Sequence, residues 1–192
     1  MLRRLVMPFM LLALVLAGVA CSREEDREGR FGPIPTGGSV LGIRSSAFED
    51  NGAIPAKYTC DGENLSPPIT IDPVPAGTVM LALIVTDIDG PGGDFVHWTV
   101  FNMAAGSDIA EGTVPLAGTL GVTGRGSAGY FGPCPLSGEH RYVFDVYALD
   151  ASLTLGAEQA TKAALLTAME GHILQQSTLT GVYSRTPTTS AP

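Results

Sequence analysis

Charge is scarce in these 192 residues: Asp, Glu, Lys and Arg make up 16%, with 11 basic side chains against 19 acidic ones. A formal net charge of −8 lacks the positive field that gathers phosphate backbones, so nucleic acid is not an expected partner. Histidine occurs three times and tryptophan once. The three cysteines are isolated, and no C-x-x-C pair offers the closely spaced ligands of a zinc site. Helical patterning is thin as well. Only Ala157–Gln176 reads as a helix, with Leu165, Met169 and Ile173 at a spacing of four and no internal proline. What remains is a chain that is 45% hydrophobic with 24 Gly and 14 Pro, enough for a core but rich in turns. This composition implies one strand-rich, loop-rich domain.

The longest apolar run lies at the start, from Leu5 to Ala20, behind Arg3 and Arg4. It reads as a secretory signal, too short and wrongly flanked for a comfortable span. Small residues lead into Cys21, which resembles the lipid-attachment cysteine of a bacterial lipoprotein. Residues 1–20 are then the signal, 21–40 a lipidated cysteine and flexible tether, 41–185 the folded domain and 186–192 a tail. Removing residues 1–20 takes away Arg3 and Arg4, leaving 9 Lys+Arg against 19 Asp+Glu, a net charge of −10. The expected location is outside the cytoplasmic membrane, held by the lipid. With Cys21 acylated, Cys60 and Cys134 form an even pair in an oxidising compartment. They are either bridged or two separate buried thiols.

Strand character is clearest in Thr78–Asp87 (apolar on both faces), Val96–Met103 and Arg141–Leu149. Shorter candidates are Gly42–Ala47, Ile69–Ile71 and Thr180–Ser184. Residues 104–140 hold nine glycines and three prolines and read as ordered loops. Within them, Gly124-Arg-Gly-Ser-Ala-Gly129 spells G-x-G-x-x-G, but it runs into YFGPCP, which cannot start the helix that a pyrophosphate needs. Arg125 also stands where a G-x-S-x-G elbow around Ser127 requires glycine.

The rare histidines are more informative. Asp87 closes the most apolar strand, on the parity of Leu81, Leu83 and Val85. His140 shares parity with Tyr142, Phe144 and Val146, and His97 with Thr99 and Phe101. Acid and imidazole at buried strand ends must be hydrogen-bonded or used. From the residues alone a structural network, an anion pocket and a metal site all stay open. His172, beside the helical stripe, is expected to be packed.

Six segments in order resemble the phosphatidylethanolamine-binding protein family, in its bacterial Raf-kinase-inhibitor-like branch. They are IPAKYTCDGENLSPPI (54–69), DIDGP (87–91), VHWTVFN (96–102), GPCPLSGEHRY (132–142), YALD (147–150) and GHIL...LTGVYSR (171–185). The resemblance implies a mainly β fold, an antiparallel β-sandwich with an anion-binding pocket at one end. It places the ligand-binding residues at Asp87, His97, Gly132, Pro133, His140 and Tyr142, and a cis peptide at Gly90–Pro91. The family's D-P-D-A-P reads Asp87-Ile88-Asp89-Gly90-Pro91 here, and Leu136 replaces the last proline of its G-P-x-P-P, which loosens two pocket loops. A small anionic ligand or phospholipid head group is the implied partner, with no cofactor, no metal and no enzymatic activity. The family also implies an alternative, modulation of a protein partner such as a protease or kinase through surface loops.

Overall fold

A computed structural model describes residues 39–90, 92–115 and 117–185. The signal, Cys21, most of the tether, the 186–192 tail and Pro91, with its expected cis peptide, lie outside the described residues. Among these residues, β1 (Gly52–Ala53), β2 (Met80–Asp87), β3 (Phe95–Ala104), β4 (Thr119–Leu120), β5 (Gly138–Leu149) and β6 (Ile173–Arg185) form one sheet. Its order is β1-β6-β5-β2-β3-β4. The chain is mainly β, as the sequence implied.

β2 sits in the middle, antiparallel to both β3 and β5. Its unbroken apolar run explains this, because the strand is buried on both faces. Leu81, Leu83 and Val85 pack with Trp98, Val100, Phe144 and Val146 beneath a layer carrying Phe48, Ile54, Ile69 and Ile109. Ala82 and Ile84 face the other way, towards Phe101, Leu149 and the residues Leu165 and Met169 of helix α1 (Lys162–Met169). Each large aliphatic side chain so buried contributes about 2 kcal/mol before conformational entropy is counted.

Two features differ from a strictly antiparallel sandwich. β1 runs parallel to β6. The layer opposite α1 is not a second sheet, and the expected strands Gly42–Ala47 and Ile69–Ile71 shrink to bridges of Arg44 with Thr70 and Ile69 with Ile109. Pro67, Pro68, Pro73 and Pro75 remove the amide donors that a longer ladder there would need.

The expected Ala157–Gln176 helix is also corrected. α1 keeps eight residues, capped by Thr161, whose side-chain oxygen accepts from the Ala164 amide at 3.2 Å. Gly171 adopts φ +79° and ends the run, and Ile173 onward turns extended to pair along β5. Pairing along β5 outweighs the Ala-rich helical propensity. His172 is not packed: it is half exposed and its Nδ1 meets Asp150 Oδ1 at 2.8 Å.

β3 departs from regular pairing at Asn102, which lies in the left-handed region at φ 56°. Its amide donates to the Leu153 carbonyl at 2.9 Å and accepts from the Leu153 amide at 2.8 Å. Replacing Asn102 with Ala removes both bonds and keeps the unfavourable φ. A loss of about 2 kcal/mol is expected in chemical denaturation, and a loss under about 0.5 kcal/mol would contradict this role.

Candidate functional site

The site forms where β2 ends, β5 begins and β3 bulges. Asp87, the last residue of β2, lies opposite Tyr142, so His140 two residues earlier on β5 projects from the same face. Regular alternation on β3 would not bring His97 there. Val85 pairs with Trp98 and Thr86 with Val96, leaving His97 as the extra residue of a bulge. The bulge turns His97 onto the face of Trp98 and Tyr142, not that of Thr99 and Phe101 as strict parity implies. Residues from three neighbouring inner strands thus meet at one end of the sheet.

A stapled loop builds the wall. Residues 130–134 are tied to residues 58–64 by several links. Tyr130 donates from its hydroxyl to the Tyr58 carbonyl at 2.7 Å, and the Gly132 amide donates to Asn64 Oδ1 at 2.9 Å. The Cys60 amide donates to the Pro133 carbonyl at 3.1 Å, and a Cys60–Cys134 disulfide joins Cα atoms 5.4 Å apart. On the other side, Arg141 grips Asp89 through Nε at 2.9 Å and Nη2 at 2.7 Å, while its amide adds a third bond at 2.9 Å. That grip holds the Asp89 carboxyl down at about 2 and fixes the loop after β2 beside His140.

Within this frame both histidines have one nitrogen committed. His140 Nδ1 lies 2.8 Å from Asp87 Oδ2, whose other oxygen accepts from the Asp89 amide at 2.9 Å. His97 Nδ1 lies 2.6 Å from the Phe131 carbonyl, which can only accept, so that nitrogen donates. Each ring therefore keeps Nε2 for whatever enters. In a neutral ring that Nε2 is an acceptor, and it becomes a donor only when the ring gains a proton.

His97 is boxed by aromatics: Phe131 stacks on it at 5.4 Å, Phe95 meets its edge at 4.9 Å and Tyr142 at 5.1 Å. Burial in this box pushes its pKa below the ordinary value, outweighing the opposing pull of the Phe131 carbonyl and the Asp87 charge. A lowered histidine pKa means the unfolded chain binds protons more readily than the fold. This contribution to stability is complete above about pH 6.5 and is lost as pH falls through the folded value. Denaturation midpoints should therefore drop on acidification below about pH 6.5, and His97→Phe should flatten that drop. An unchanged profile in the variant would place the acid sensitivity elsewhere.

The cavity, about 270 Å³, is lined by Asp87, Gly90, Phe95, His97, Phe131, Cys134, Pro135, Leu136 and His140. Of the residues expected from sequence, Asp87, His97 and His140 come together. Gly132, Pro133 and Tyr142 do not line it. Gly132 lies against the Tyr58 backbone, where an added Cβ would come within 2.5 Å of a carbonyl oxygen. Tyr142 is fully buried behind the site, its hydroxyl beside the Asp87 carboxylate and the Cys134 amide without a well-formed hydrogen bond to either. Burial and the neighbouring carboxylate push its pKa up. The Phe131 and Gly132 amides of the wall are not open to a ligand, being taken by the His97 carbonyl and Asn64 Oδ1. Pro135 and Leu136 line the cavity from the loop expected to do so, whereas Phe95 and Phe131 carry no such signal in sequence, since aromatics read equally as packing. A larger depression of about 470 Å³ beside Gly126–Ala128 and Glu158 carries no comparable convergence of groups.

Residues 44–184 match the family model described as phosphatidylethanolamine-binding protein. A UPF0098 protein of Methanothermobacter thermautotrophicus is 46% identical over 151 residues, covering 76% of this chain and 99% of that protein. The crystal structure of a putative phosphatidylethanolamine-binding protein homolog from Chlamydia trachomatis superposes with a TM-score of 0.73 at 38% identity. It covers 77% of this chain and 99% of its own. YbcL of E. coli, described as a new member of the mammalian family, gives 0.71 at 26% identity, covering 77% and 100%.

Proposed function

The chain belongs to the phosphatidylethanolamine-binding protein family, and we propose that it is an exported, lipid-tethered binding protein rather than an enzyme. Its ligand is a small phosphate- or carboxylate-bearing molecule held in the Asp87, His97 and His140 pocket. One observation carries this reading. Both imidazoles are anchored through Nδ1, one on a carboxylate and one on a carbonyl, which leaves two Nε2 atoms for a single cavity. Protonated, the pair offers two charge-assisted donors to an anion, with Asp87 balancing one of the charges.

The lining supports binding over catalysis. It includes no hydroxyl, and its sulfur, that of Cys134, is held in the disulfide. Asp89, which a cation site would need beside Asp87, is engaged on Arg141 through both oxygens. Export and tethering rest on the signal-like residues 1–20 and on Cys21.

Calorimetry with inorganic phosphate, phosphoethanolamine and acetate tests the reading. Saturable heat is expected with at least one of them, together with competition among those that bind. No heat with any of the three would refute it. An effect on a protease or kinase that survives pocket substitutions would favour the loop-mediated alternative.

A further inference from the structure

Four of the six cations in residues 41–185 are paired: Lys57 with Glu111, Arg141 with Asp89, Lys162 with Asp94 and Arg185 with Asp61. Arg44 donates to the Asp72 carbonyl. Arg125 is different. Its guanidinium carbon lies 3.3 Å from the centre of the Phe131 ring, and among the described residues its side-chain nitrogens reach no acceptor. The same ring stacks on His97 at 5.4 Å, with the planes 8° apart. In a protein this acidic, a fully charged arginine held against a ring instead of a carboxylate is free to meet an incoming anion.

Its surroundings point the same way. Arg125 opens onto a basin of about 140 Å³ shared with Asn64, Thr123, Ser127, Tyr130 and Phe131. Asn64 uses its Oδ1 to accept from Gly132, which leaves its amide nitrogen as a donor without a partner among the described residues. The Ser127 hydroxyl is likewise uncommitted, whereas Thr123 already donates to the Ser127 carbonyl. No carboxylate lines the basin; Glu63 precedes Asn64 in the chain, and Glu158 lines the next depression along with Ser127. Phe131 forms one side of the basin and one side of the histidine pocket. Donors thus gather in two cavities that share a single ring.

We propose that this basin is a second anion subsite, and that the ligand carries two anionic groups, one at His97 and His140 and one at Arg125, bridging the edge of Phe131. The proposal rests on the pocket reading above and narrows it from a single head group to a bis-anion. The G-x-G-x-x-G spelling then has a use unrelated to dinucleotides. Thr123–Ser127 closes as a tight turn, with the Gly126 amide on the Thr123 carbonyl at 2.9 Å, and that turn presents Arg125.

The test is calorimetry of the purified protein with methylphosphonate and a series of α,ω-alkane bisphosphonates of increasing length. One linker length should bind about tenfold more tightly than methylphosphonate, as one added charge-assisted contact implies. Arg125→Gln should abolish the gain, so that within the variant that bisphosphonate binds no more tightly than methylphosphonate. Arg125→Lys should retain part of the gain. Equal affinity across all linkers, or a gain that persists in Arg125→Gln, would overturn the second subsite while the pocket stands. Methylphosphonate binding that is absent, or indifferent to His140→Ala, would refute the pocket reading and the bis-anion with it. Unchanged amide spectra outside residues 123–131 establish that the variants are folded.

Discussion

His140→Ala should lower affinity for the proposed anion by about two orders of magnitude, the size expected when one member of a buried hydrogen-bonded pair is truncated. Two losses combine. The pocket loses an Nε2 donor, and Asp87, 5% exposed, keeps a negative charge facing the ligand with only the Asp89 amide to satisfy it. Stranding that carboxylate also costs about 3 kcal/mol of stability. The two effects separate in the double variant His140→Ala, Asp87→Asn. Removing the buried charge should recover most of the stability without recovering affinity. Full binding by the folded single variant would remove His140 from the site.

Cys60→Ser with Cys134→Ser should lower stability by about 4 kcal/mol, because the bond closes a loop across a sequence separation of 74. In a domain of this size that corresponds to a fall of about 10 °C in Tm. Function should follow stability here, since Cys134 lines the pocket and its neighbours Phe131 and Pro135 form the wall. Anion affinity should therefore weaken even below the new Tm. Unfolding in urea with and without reductant measures the first effect. A change under about 1 kcal/mol would show that the hydrogen bonds of Tyr130, Gly132 and Cys60 hold the wall unaided.

The parts of this molecule legible in sequence are those set by local pattern. The apolar run to Asp87 announced a central strand, and the rarity of histidine drew attention to His97 and His140. Pairing partners decided the rest. A bulge that adds one residue has no strong local signature, so strict parity puts His97 on the face opposite the one it occupies. Alanine content overextends the helix because it is a local preference, whereas the long ladder between β5 and β6 is a tertiary one. Gly132, Pro133 and Tyr142 illustrate a different ambiguity. A residue that shapes a pocket from behind carries the same motif as one that touches the ligand, and only the packing of Gly132 on Tyr58 separates them.

An anion received through Nε2 of His97 and His140 needs protonated rings, because a neutral imidazole anchored through Nδ1–H has no donor there. Sulfate is the cleanest probe, because its charge does not change across the pH range where imidazole titrates. Its affinity should be followed from about pH 8 to pH 5 while the ring resonances of His97 and His140 are observed. Affinity should rise as pH falls, with both rings shifting on binding. His97 should respond at the more acidic end, because burial holds its pKa below the ordinary value. A flat affinity profile, or sulfate binding that leaves both rings unmoved, would contradict this mode of binding.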